Sequence, residues 1–358
     1  MNYGPNSPNS PVFTITYWGT TGSFCAPLLP QDVSRKISRA VAMLVEKGVL
    51  QGLRPNPNLE SEIIGLMERY LPFHLRSSYG GNTTCLEVET PDALIILDCG
   101  SGFRELGVSL AARWRADGRT DEHHAHVLLT HAHMDHTFGT PFFAPYYNPS
   151  NVFELYGPQT ALDSLAAVLS PKSALSGIYF PPSYADMQAI KAMHTLDAKS
   201  DFAIGSTRIT TYSLNHPGGC LAYRFENAGK VFVFTTDHEH AQVPDRELAA
   251  FAQDADLLYM DGQYTHAEYL GEAEIAGDPP MTRRGWGHSP VEDCVATAVA
   301  AGARALHIGH GEPRRSDEET ETVEAYLRRL VPEQLARSGR PSNAMDALIP
   351  FEGMQWRI

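Results

Sequence analysis

The chain has 358 residues and carries 28 Lys and Arg against 42 Asp and Glu, a formal charge of −14. So acidic a chain is disfavoured as a protein that holds nucleic acid mainly by non-specific phosphate attraction, although a local basic groove stays compatible with it. With 43% hydrophobic and 20% charged residues, its composition is that of a globular protein with a sizeable core, not of a disordered or fibrous one.

Met1–Pro11 is polar and lacks the basic start and apolar stretch of a secretory signal, and no apolar run of about 18 residues occurs, so no membrane span is expected. Cys25, Cys85, Cys99, Cys220 and Cys294 lie far apart and form no C-x-x-C pair, the pattern of reduced thiols in a cytoplasmic protein. Val12–Trp18 reads as a strand ended by the turn Gly19–Ser23. Apolar spacing then predicts helices over Val33–Lys47 and Leu59–Tyr70, split by Pro55-Asn-Pro57. Residues 31–70 are thus expected to be a helical insertion lying over a site or in a subunit contact. Thr84–Glu89 and Ala93–Leu97 read as a hairpin, followed by the turn Asp98–Gly102, a helix through Ala116 and a short strand at His126–Leu129. Further on, a helix is expected at Ala161–Leu169 and strands at Thr207–Leu214, Leu221–Glu226, Lys230–Thr235, Leu257–Met260 and Ala305–Ile308. Helices at Val291–Ala301 and Asp317–Leu330 and a last strand at Met354–Ile358 complete the reading, with no internal repeat.

The strand at His126–Leu129 runs into His131-x-His133-x-Asp135-His136. Alternate histidines leaving a strand can face one side, and a turn at Met134 can send Asp135 and His136 to a second centre. Neutral imidazole with carboxylate suits zinc, manganese or iron in catalytic sites. His216, Asp237 and His310 each follow a predicted strand, which makes seven potential ligands at strand ends, enough for two metals with open positions. His123 and His124, flanked by acidic residues, read as a solvated loop instead.

This order of His and Asp resembles the metallo-β-lactamase superfamily, over roughly Val12–Ile358 outside the insertion. Asp98-Cys-Gly-Ser-Gly102, Asn215-His-Pro-Gly-Gly219, Thr236-Asp237 and Gly287-His-Ser289 resemble its ribonuclease Z-like branch, which includes cyclic-nucleotide phosphodiesterases. The resemblance implies an α/β fold, an αββα four-layer sandwich of two mixed sheets with helices outside, here as one domain spanning residues 1–358. It implies His131, His133 and His216 on a first metal, Asp135, His136 and His310 on a second, and Asp237 bridging them. The metals implied are two divalent ions, Zn2+ first, with Mn2+ or Fe2+ as alternatives. His310 is preferred over His307 because it follows the strand, where the family places its final ligand; His307 falls inside the strand and reads as core. The branch has His-Glu-Ala-Thr where this chain has Met260-Asp-Gly-Gln-Tyr264, so Asp261 takes the place of the Glu, oriented towards His288. A carboxylate there can hold the imidazole cationic to stabilise charge or protonate a leaving oxygen, so Asp261 and His288 join Asp135 as the residues expected to be catalytic. His238 and His240 read as pocket wall, as support just outside the ligands, or as exposed surface. Asp98 is expected to be a structural hydrogen-bonding residue, and the turns Ser77–Thr84 and Gly100–Gly102 to pack the sheet or to present N–H groups to an anion.

Two metals about 3.5–4 Å apart can share a hydroxide and neutralise phosphoryl charge. The expected activity is hydrolysis of a small phosphodiester, a cyclic nucleotide foremost, with aromatic surfaces at Ile178–Tyr184 and Pro141–Tyr147 available for stacking, for core or for a dimer contact. A transfer-RNA endonuclease would need a basic arm between His136 and His216, and Gly157–Gly205 offers only Lys172, Lys191 and Lys199, offset by Asp163, Asp186, Asp197 and Asp201. A lactonase, thioesterase or arylsulfatase shares the ligand chemistry, and a non-enzymatic sensor is the remaining class. The resemblance further implies a homodimer, with neither extended nucleic acid nor membrane as partner.

Overall fold

Fourteen strands build two sheets that face each other, as described in a computed structural model covering residues 11–116, 118, 123–168, 170 and 182–358. In chain order they are β1 (Thr14–Gly19), β2 (Cys85–Glu89), β3 (Leu94–Leu97), β4 (His124–Leu128), β5 (Val152–Gly157), β6 (Ile190–Thr195) and β7 (Asp201–Ile204). They continue with β8 (Thr207–Leu214), β9 (Cys220–Asn227), β10 (Lys230–Thr235), β11 (Leu257–Asp261), β12 (Ala305–Gly309), β13 (Asp346–Leu348) and β14 (Gln355–Arg357). The first sheet runs β14-β1-β2-β3-β4-β5-β6 and the second β13-β12-β11-β10-β9-β8-β7. Both are mixed: β3 to β6 and β10 to β13 pair in parallel, and the remaining pairs are antiparallel.

Alternation along the strands decides the layers. Ile15, Tyr17, Leu86, Leu97 and Leu128 of the first sheet meet Tyr223, Phe225, Phe232, Phe234 and Tyr259 of the second in the central core. On the outside of the first sheet, Ile96, Val127, Phe153 and Leu155 bury helices Gly102–Ala116 and Gln159–Val168. Val233, Leu258 and Leu306 of the second sheet do the same for helices Arg246–Phe251, Val291–Ala301 and Asp317–Arg337. The result is the expected αββα sandwich, with parallel strands ending at one rim. No helix among the described residues is long and apolar enough to cross a membrane. All five cysteines are free thiols, and Cys85, Cys99, Cys220 and Cys294 are buried.

The differences from the sequence reading have local causes. β5, β6, β7 and β13 were not expected, because short strands owe their stability to cross-strand pairing more than to their own pattern. The last helix runs through Pro332 to Arg337 instead of stopping at Leu330, since Leu330, Val331 and Leu335 are buried and their packing outweighs the lost backbone hydrogen bond. Phe143 and Tyr146 are fully buried, Phe143 stacking on Phe103 at 3.8 Å, so within Pro141–Tyr147 these two rings support the sheet, while Phe142 is 44% exposed. Most of Ile178–Tyr184 lies outside the described residues.

The insertion forms helices Pro30–Glu46 and Leu59–Tyr70 and a turn of helix at Phe73–Arg76, around its own small core of Ala40, Leu44, Leu71 and Leu75. It docks on the start of the last helix, where Lys36 pairs with Asp317 and both Arg39 nitrogens pair with Glu318 at 2.6 and 3.0 Å. Together with Thr21 and Gly311 it lines a cavity of about 390 Å³ beside the strand rim. Its outer face carries Leu29, Val33, Ile37, Val41 and Val45, 42–59% exposed and four residues apart, as one apolar stripe.

Candidate metal centre

The rim beyond β4 is held between the sheets: Leu221 N–H donates to Thr130 O at 3.0 Å, and Tyr223 O–H to Leu129 O at 2.6 Å. From this anchored point the chain releases His131 and His133, then turns into the short helix Met134–Thr137 that carries Asp135 and His136. All seven expected ligands come together here in two groups: His131, His133, His216 and Asp237, and Asp135, His136, Asp237 and His310.

Asp237, immediately after β10, belongs to both groups through different oxygens. Its Oδ2 is 3.5 Å from the Nε2 atoms of His131 and His216, and its Oδ1 is 3.2 Å from His136 Nε2 and 3.3 Å from His310 Nε2. Asp135 Oδ2 closes the second group, 3.1 Å from His310 Nε2 and 3.3 Å from His136 Nε2, and accepts the Ser23 N–H at 2.8 Å. In the first group His133 Nδ1 lies 2.9 Å from His216 Nε2. Asp98, Asp237 and His310 all adopt left-handed backbone, with φ of 59°, 45° and 53°, conformations that L residues keep only where the surroundings hold them.

The far side of three rings is engaged, which leaves their other nitrogen for the centre. His136 Nδ1 is 2.7 Å from Asp98 Oδ2, His216 Nδ1 is 2.9 Å from Gly287 O, and His131 Nδ1 is 3.0 Å from Thr130 Oγ1. Asp98 also accepts the Thr130 N–H and O–H, the structural role expected of it. His131 Nε2 and His136 Nε2, both facing Asp237, are buried without a hydrogen-bond partner. Such orphaned nitrogens are costly in a folded protein, and a cation relieves the cost. The electrostatics agree: burial opposes a charged His136, but Asp237, Asp135 and Asp98 raise its pKa well above the usual value, and the same opposition pushes His310 up to about 9. Burial alone would raise Asp135, yet His136 and His310 hold it well below the carboxylate range. The residues present therefore fit divalent metal.

Beside the second group, His288 Nδ1 is 2.7 Å from Asp261 Oδ2, and both lie within metal-ligand reach of Asp237 and His310. Asp261 is pinned by the N–H groups of Gln263 at 3.1 Å and His238 at 3.3 Å. The Gly287–Ser289 loop is clamped by Glu239, whose two oxygens accept the N–H groups of Gly285 and Gly287, both at 2.8 Å. Sequence reading missed Glu239, since nothing in its neighbourhood signals a contact more than 40 residues away. Gly287 is required at φ 90°, because a Cβ would lie 2.2 Å from His216 Nδ1.

His238 and His240 support the site from behind, one of the places expected of them: His240 sits between Ser289 Oγ at 2.5 Å and Thr297 Oγ1 at 2.9 Å, and His238 Nε2 is 3.2 Å from Asp245. His307 is core, bound to Tyr17 Oη at 2.5 Å. The Ser77–Thr84 turn turns its N–H groups on the chain's own carboxylates, Tyr79 to Asp317 and Gly81 and Asn82 to Glu352, so it packs instead of holding an anion. His288 opens onto a pocket of about 390 Å³ walled by Tyr264, Trp286, Gln263, Glu312 and Arg314. The aromatic pair was not singled out in the sequence; Trp286 and Tyr264 flank Arg283, whose guanidinium lies 6.0 and 5.4 Å from their rings.

A profile of the beta-lactamase superfamily domain matches residues 94–310, more than half of the chain and all seven clustered His and Asp residues. The chain belongs to the metallo-β-lactamase superfamily. Among curated members, Ribonuclease BN of Escherichia coli is 24% identical over 69% of this chain and 88% of its own length. Ribonuclease Z of a Synechococcus is 24% identical over 66% and 83%. Of solved structures, yeast PDE1 superposes with a TM-score of 0.57 at 11% identity, covering 97% of this chain and all of the other. The metallo-β-lactamase fold protein YhfI of Bacillus subtilis gives 0.56 at 16% identity over 96% and 99%. This member of the superfamily is thus a hydrolase whose fold implies divalent metal at the centre.

Proposed function

We propose that this hydrolase is a dinuclear-metal phosphodiesterase acting on a small phosphodiester, a cyclic nucleotide foremost. The observation that carries the reading is the His288–Asp261 pair, 2.7 Å apart at the edge of the ligand cluster and open to the pocket of Trp286 and Tyr264. His131, His133 and His216 are assigned to one ion, Asp135, His136 and His310 to the other, and Asp237 to both, with Zn2+ the preferred metal and Mn2+ or Fe2+ the alternatives. When bound, the ions polarise the phosphoryl oxygen and activate the attacking water. His288, with Nδ1 held by Asp261, gives its proton to the leaving oxygen as the P–O bond breaks. A pocket of this size suits a small ligand, and its aromatic walls suit a base.

The names of its sequence relatives favour a second reading, an RNA endonuclease. Against it stands the scarcity of cations between His136 and His216: of the two lysines described between residues 157 and 205, Lys191 is already bound to Pro149 O and Gln188 O. Comparing kcat/KM for cyclic mononucleotides, a model diester and precursor transfer RNA at matched salt and metal decides between them. Faster cleavage of the RNA overturns the small-substrate reading, and turnover of lactones or thioesters alone moves the chain to another hydrolase class.

The proposal extends to a cytoplasmic homodimer. The exposed stripe on helix Pro30–Glu46 supports it, since monomers seldom leave so continuous an apolar face uncovered. Sedimentation of Ile37→Glu tests it, a monomer being the expected result.

A further inference from the structure

A second set of histidines lies at the opposite end of the strand that feeds the centre. His124 and His126 project from β4 on the face that turns inward, because the alternate residues Ala125 and Val127 pack against the outer helices. The parallel register places His126 opposite Glu154 of β5, and Tyr156 of β5 opposite His194 of β6. Three imidazoles and a carboxylate thus share one patch of three neighbouring strands. His126 and His131 are five residues apart along extended chain, about 16 Å, so the patch is separate from the catalytic rim.

The distances are those of a ligand set. His124 Nε2 is 3.1 Å from Glu154 Oε1, and ligand atoms of His124, His126 and Glu154 all lie within 4.8 Å of one another. Two ligands about 2.1 Å from a tetrahedral ion stand about 3.4 Å apart, so the pair needs little movement to share one. The other oxygen of Glu154 is already oriented, accepting from Tyr156 O–H at 2.9 Å and lying 2.8 Å from His194 Nε2. That is how a carboxylate ligand is usually held by its outer neighbours. Phe202 of β7 stacks on Tyr156 at 5.4 Å and screens the inner side, while His124 and His194 are 46% and 42% exposed, which leaves a path for the ion.

We propose that His124, His126 and Glu154 bind one divalent transition-metal ion, Zn2+ or Cu2+, with His194 fixing Glu154. Imidazole-rich sets select these ions over Mg2+ or Ca2+. The ion would fasten β4 to β5 and, through His194, to the edge strand β6.

The test uses the whole chain, loaded with Zn2+ and dialysed against about 1 µM free Zn2+, an illustrative level well below that of weak surface binding. Wild type, His124→Ala and Glu154→Gln are compared by elemental analysis and by hydrolysis of bis(p-nitrophenyl) phosphate. The expected result is one equivalent of zinc fewer in each variant, with unchanged turnover. Equal zinc in all three proteins overturns the site, and so does a loss of zinc that is accompanied by loss of turnover, since the missing ion would then be catalytic. His124 is largely exposed, so its variant folds independently of the answer. Cu2+ added to the zinc-loaded protein supplies a second readout: an imidazole superhyperfine component in wild type that is weakened in His124→Ala supports the site, and identical spectra reject it.

Discussion

β4 carries histidines at both of its ends, and the two ends solve different problems. At the C-terminal rim His131 and His136 are buried, each with a nitrogen left unpartnered, around the Asp237 carboxylate that two neighbouring groups share. At the other end His124 and His126 surround one carboxylate that is already hydrogen-bonded and partly in water. The rim buries most of its ligand atoms and leaves some of them unsatisfied, which a cation would complete. The far end is satisfied as it stands and gains from a metal only what coordination adds. Burial of unpaired ligands, more than the number of histidines, is what separates a reactive centre from a binding patch.

The severest way to break the contrast is Asp237→Ala. Because Oδ1 and Oδ2 face different groups, this variant should lose both ions of the proposed dinuclear centre and fall to background turnover, measured by elemental analysis beside activity. Retention of both ions with full rate would move the bridge elsewhere. Next is His288→Ala, expected to keep its metal and lose about 10²–10⁴-fold in rate, less with a nitrophenolate leaving group that needs little protonation. Equal damage with good and poor leaving groups would leave only charge stabilisation to His288.

Asp98→Asn should be milder. It removes the charge behind His136 while keeping the shape, and such outer partners change metal affinity by about 10–100-fold, which a competition titration with a chelator measures. An unchanged affinity would show that Thr130 and the backbone alone orient the ring.

The smallest effect concerns a histidine with no carboxylate beside it. Burial lowers the pKa of His307 from 6.5 to about 3. Its folded value lies below the unfolded one, so on acidification the unfolded chain takes up the proton first. The stability is therefore intact above about pH 6.5 and is lost as the pH falls towards 3, at about 1.4 kcal/mol per pH unit for this group. His307→Gln should lower that slope by one proton in urea titrations across pH 4–6, chosen as a range of about two units inside that window. An unchanged slope would mean that His307 is protonated in the folded chain.

What the sequence determined by itself is what local spacing can encode. His131-x-His133-x-Asp135-His136 leaves a strand within six residues, and His216, Asp237 and His310 each follow one, so strand ends identified by their own apolar pattern locate every residue of the ligand cluster. Asp261 and His288 were legible only through resemblance, since 27 residues separate a pair that meets at 2.7 Å. Tertiary structure alone decided the rest. It split Asp237 between two groups, clamped the His288 loop with Glu239, walled the pocket with Trp286 and Tyr264, and buried Phe143 and Tyr146. It also brought His124 and His126 to Glu154 and His194, across strands that the chain pattern did not announce. The physical reason is common to all of these. Backbone pattern fixes which way a side chain leaves its own strand, but its neighbour is chosen by sheet register and layer packing, which depend on residues far away in the chain.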